Sequence, residues 1–72
     1  MYIFHINEGD DFIATNMESG KDALTELFDG RINTIVKKQT LEGAEVSYID
    51  YIDSIGDQFQ VIAVEQKTIY GQ

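Results

Sequence analysis

Tyr2, Phe4 and Ile6 alternate with Ile3, His5 and Asn7, the two-residue period of a strand. Glu8-Gly9-Asp10-Asp11 supplies a turn, and Phe12 to Thr15 reads as the returning strand, so residues 2–16 predict a hairpin. The period then changes. From Ser19 to Gly30 (SGKDALTELFDG), Ala23, Leu24, Leu27 and Phe28 share one face at helical spacing, with Lys21, Asp22, Thr25, Glu26 and Asp29 opposite. Ser19 is expected to cap this helix, with Asp22 completing the capping box and Gly30 ending it in the left-handed conformation. Arg31 to Gln39 (RINTIVKKQ) returns to the strand period, with Ile32, Thr34 and Val36 on one face.

Leu41 to Gly56 fits two patterns. As helix, Thr40 caps it, Gly56 ends it, and Leu41, Ala44, Tyr48, Ile49, Ile52 and Ile55 share a face. As strand, Glu42-Gly43 turns the chain and Val46 to Asp53 runs extended. The strand is preferred because Gly43 and Glu45 sit badly inside the helix and Val46, Ile49, Ile52 and Ile55 crowd it. A tight turn at Ile55-Gly56-Asp57-Gln58 then pairs Asp53 with Gln60, Tyr51 with Ile62 and Ile49 with Val64. Phe59 to Tyr70 is a strand in both readings. The predicted fold is a single α+β domain over residues 1–72, an antiparallel sheet with one helix across it in the order ββαβββ. The alternative, with 41–55 helical, is ββαβαβ. In the favoured order Val46, Ile52, Phe59 and Val61 point one way and Ile49, Tyr51, Ile62 and Val64 the other. One short helix leaves one of these apolar faces uncovered, which points to a homodimer or a protein partner.

Charge sharpens the picture. Thirteen acids stand against five bases in 72 residues, a net charge of −8. Residues 1–30 hold seven acids and Lys21, residues 31–41 only Arg31, Lys37 and Lys38, and residues 42–65 six acids and no base. Direct binding to nucleic acid or an anionic membrane is excluded on this balance, and a basic protein partner suits it. There is no Cys, hence no disulfide, thiolate metal site or thiol nucleophile. No apolar run is long enough to cross a membrane, and Met1 leads almost directly into a strand, so a cytoplasmic protein is expected.

Candidate chemistry is sparse. His5 is the only histidine and sits between Phe4 and Ile6, where a structural role is expected. Ser19, Ser47 and Ser54 lack a nucleophile elbow, and Ser19-Gly20-Lys21 lacks the glycine and the Ser or Thr of a phosphate loop. Glu8, Asp10 and Asp11, like Asp50, Asp53 and Asp57, have no calcium-loop spacing. No enzyme activity, cofactor or metal is expected. Two features stand out instead. Asp22, Glu26 and Asp29 lie within about 60° of one another on the helix, where like charges cost stability. Asp29 also meets the negative end of the helix dipole. Tyr48-Ile49-Asp50-Tyr51-Ile52-Asp53 repeats a tripeptide and puts Tyr48 and Asp50 on one strand face, Tyr51 and Asp53 on the other. Tyrosines beside carboxylates suit an interface.

In size, charge and compactness the chain resembles the small acidic proteins with which phages and mobile elements inhibit host enzymes. The resemblance implies a non-catalytic inhibitor that mimics nucleic acid in a basic cleft. Same-face carboxylates on a strand stand about 6.6 Å apart, near the phosphate repeat of extended nucleic acid. The expected partner-binding residues are Asp22, Glu26, Asp29, Tyr48, Asp50, Tyr51, Asp53 and Asp57. The alternatives are a homodimeric adaptor joined through the uncovered sheet face, or a small-molecule sequestering protein with its pocket between subunits.

Overall fold

The computed structural model describes residues 1–6, 9 and 11–66. Within them the order is β1 (Tyr2–Ile6), β2 (Phe12–Ala14), α1 (Met17–Phe28), β3 (Arg31–Gln39), β4 (Glu45–Ile52) and β5 (Gln58–Glu65). The five strands form one antiparallel sheet in the spatial order β2-β1-β5-β4-β3, so the fold is the expected ββαβββ. The helical alternative for 41–55 is overturned. Val46, Ile49 and Ile52 are stiff β-branched residues, and β4 finds a partner strand on each side, which satisfies its backbone without a helix. The continuation of the last strand toward Tyr70 lies outside the described residues.

The helix starts earlier than its apolar stripe suggests. Asn16, not Ser19, is the N-cap: its extended backbone (φ −147°) turns the side-chain oxygen to accept from the Ser19 amide at 2.8 Å. Ser19 and Asp22 therefore form no capping box. At the other end Asp29, not Gly30, adopts the left-handed conformation (φ 52°), and its N–H donates to the Thr25 carbonyl at 2.8 Å. Gly30 is needed for space: a Cβ there would stand 2.0 Å from the Ile52 carbonyl oxygen and 2.6 Å from the Asp53 Cα. Gly20 serves the same end in the first turn of the helix, where a Cβ would meet the Phe4 ring at 2.0 Å.

Two registers differ from expectation. A bulge between Ile32 and Thr34 turns β3 over, so Ile32 shares a face with Ile35, and Thr34 and Val36 lie on the other. The β4–β5 connection is not a two-residue turn. Asp53 organises a longer loop: its carboxylate accepts from the Ile55 and Asp57 amides at 3.0 and 2.9 Å, and its own N–H donates to the Asp57 carbonyl at 3.0 Å. This Asx turn sets the register to Tyr51 with Phe59, Ile49 with Val61 and Val46 with Val64, three residues from the expected pairing. An odd shift exchanges partners across faces. Ile49 and Tyr51 thus stand with Phe59 and Val61, and Val46 and Ile52 with Ile62 and Val64.

The first of these sets faces α1. Phe4, Leu24, Ile49, Tyr51, Val61 and Ala63 are fully buried there, with Ala14 at the edge. Phe4 stacks on Phe12 (centroids 4.9 Å apart), and Phe28 packs edge-on against Phe59 (4.9 Å). No described element packs over the opposite face.

Candidate functional site

The helix turns its polar side to solvent with Asp22, Glu26 and Asp29 all exposed. Among the described residues, the one lysine–carboxylate ion pair joins Lys21 to Glu18 (3.9 Å), and a hydrogen bond links the His5 Nδ1 to an Asp11 carboxylate oxygen (2.8 Å). Asp22, Glu26 and Asp29 have no cationic partner among them, and no base lies in the last helical turn. Of the bases on the strand that follows, Arg31 and Lys38 belong to the opposite sheet face, where Lys38 sits 5.8 Å from the centre of the Tyr48 ring, and Lys37, opposite Ser47 on the helix side, makes no ion pair among the described residues.

The close approach of Gly30 to Asp53 brings the helix C-terminus against the β4–β5 loop. Asp29, Asp53 and Asp57 therefore gather at one end of the molecule. A shallow, open depression beside them is lined by Ile6, Gly9, Phe28, Asp53, Asp57, Gln58 and Phe59. Asp57 is exposed, whereas Asp53 is half-buried and spends one oxygen on the loop amides. Asp29 thus adjoins the loop acids, with Glu26 and Asp22 farther back along the exposed face of α1.

The rest of the sequence-derived set divides. Tyr48 and Asp50 lie side by side on the open face, with Tyr48 opposite Val36 and Ile62, and Asp50 opposite Thr34 and Gln60. Tyr51 is at the surface of nothing: it is 0% exposed, its hydroxyl donates to the Leu24 carbonyl (3.3 Å) and accepts from the Gly30 amide (3.0 Å). It fastens the helix to the sheet and is removed from the interface residues. The repeated Tyr-Ile-Asp therefore has two fates, because alternate strand positions face different layers.

Two groupings escaped sequence reasoning. At the far end of the sheet the Tyr2 hydroxyl donates to Glu45 (3.2 Å) and a Glu65 oxygen accepts from the Glu45 amide (3.0 Å). Burial and, secondarily, the Glu45 carboxylate push the Tyr2 pKa above its ordinary 10.0. The second is the apolar half of the open face, Ile3, Ile13, Val36, Val46, Ile62 and Val64, whose members come together only once the register is known. Among the described residues no three metal-ligating side chains converge, and no helix is long and apolar enough to cross a membrane. No protein-family model, curated protein or solved structure matches this chain.

Proposed function

We propose that this is a non-catalytic binding protein that presents Asp22, Glu26, Asp29, Asp53 and Asp57 to a basic, nucleic-acid-binding cleft of a protein partner and so inhibits it. The observation that carries the reading is the state of Asp29. It holds a left-handed backbone that favours glycine, at the negative end of the helix dipole, with no cation paired to it among the described residues. Each of those features costs stability, and costs of this kind gather at functional sites. The use is electrostatic: unpaired carboxylates on one helix face and the adjoining loop steer a basic partner and occupy the place of phosphates. Such a partner is met in the cytoplasm, and the mode of action is that of the small acidic inhibitors of phages and mobile elements.

The test is capture from a cell lysate with the wild-type protein and with Asp22→Asn/Glu26→Gln/Asp29→Asn/Asp57→Asn, which leaves the Asp53 turn intact. The wild type should retain a nucleic-acid-binding protein, displace nucleic acid from it, and lose it on neutralisation. A partner held equally by both proteins, or one that still binds its nucleic acid in the complex, overturns the reading.

A further inference from the structure

The open face of the sheet divides across its rows. One half is mostly apolar: Ile13, Ile3, Val64 and Val46 form one row across four strands, which Lys38 ends on β3, and His5, Ile62, Tyr48 and Val36 form the next. The other half is polar, with Gln60, Asp50 and Thr34 in one row and Gln58, Ile52 and Arg31 in the last. Ile13 is 64% and Val36 50% exposed, and they flank the apolar half from opposite edges of the sheet. Five strands about 4.8 Å apart span roughly 19 Å from the first strand axis to the last.

We propose that this face is the interface between two copies of the chain, stacked sheet on sheet about a two-fold axis with apolar half on apolar half. Charge selects this occupant. The molecule as a whole carries −8, so any two copies repel. On the open face, among the described residues, Arg31 and Lys38 balance Asp50 and Asp11, and Asp11 is paired to His5 at 2.8 Å. The unpaired acids of the helix and loop lie elsewhere. Face-to-face contact therefore keeps them apart, and the described residues of this face carry no net charge to attract a basic partner. A two-fold contact is self-complementary by construction, and aligned sheets pack about 10 Å apart with their inward side chains interdigitated. This inference is independent of the acidic surface and leaves that surface free on both outer sides of the dimer.

Sedimentation equilibrium over a concentration series, in about 0.05 M and about 0.5 M salt, tests it. The expected mass is twice the 8.2 kDa of the chain, with self-association tightening several-fold in the higher salt as repulsion is screened. Ile13→Lys and Val36→Lys, both at exposed positions, should each return the mass to that of one chain with an unchanged circular dichroism spectrum, while the acid-neutralised protein stays dimeric. A single-chain mass at every concentration would assign the face to a different protein and overturn the proposal. A dimer that survives both lysines, or that weakens as salt rises, would overturn it as well.

Discussion

On β4 neighbouring residues answer to different demands. Ser47, Ile49 and Tyr51 are wholly buried on the side that faces α1, while Val46, Tyr48, Asp50 and Ile52 remain partly exposed on the other. On β5 Val61 and Ala63 are buried, and Ile62 and Val64, which alternate with them, are not. The covered side holds the domain together through Phe4, Leu24, Tyr51 and the Phe28–Phe59 contact. The open side has the same kind of side chains and no described layer above it. Burial, not residue type, therefore separates what folds the chain from what is left for association.

The largest effects should come from backbone approaches on the covered side. Gly30→Ala pushes a Cβ to 2.0 Å from a carbonyl oxygen of β4, which cannot move without breaking the sheet, so thermal unfolding should show a marginal or unfolded domain. Leu24→Ala should cost about 2–5 kcal/mol by denaturant titration, against under about 1 kcal/mol for Val36→Ala on the open side. Equal costs would erase the distinction between the faces. Tyr51→Phe keeps the ring but strands the Gly30 amide and removes the second donor to the Leu24 carbonyl, for a loss of about 1–3 kcal/mol. Its partner binding should be unchanged when folded protein is compared. The smallest effect has the opposite sign. Asp29→Gly relieves the left-handed aspartate and should stabilise the domain by up to about 1 kcal/mol while weakening partner binding.

High pH supplies a further probe of the far end of the sheet. The folded pKa of Tyr2 lies above its ordinary 10.0, because burial and then Glu45 disfavour the phenolate. Its contribution is thus complete below pH 10 and is lost as pH rises through the folded value. Tyr2→Phe should flatten the decline in stability above pH 10, read by denaturant titration along a pH series.

Element order was legible in the sequence because each segment declares its period: Tyr2–Ile6 and Arg31–Gln39 alternate, and Ala23, Leu24, Leu27 and Phe28 do not. Positions at which one side chain overrides the pattern were not legible. Asn16 captures the cap from Ser19 because its carboxamide reaches the third amide, and Asp53 captures the turn because its carboxylate binds two loop amides. The second of these misled the faces, since the three-residue change of register it imposes moved Tyr51 inside and gathered Ile62 with Val46 and Tyr48 outside. The helix acids were legible, because helical geometry fixes them without any knowledge of the sheet. Their junction with Asp53 and Asp57 was not, since it depends on the tight passage of Gly30 past Ile52.

The most direct test of the acidic surface is the association rate of the captured partner across a salt series, for the wild type and for the protein neutralised at Asp22, Glu26, Asp29 and Asp57. Steering by unpaired carboxylates predicts a wild-type rate that falls steeply with ionic strength and a neutralised protein that starts slower and falls less. Two proteins with the same rates and the same salt dependence would contradict it.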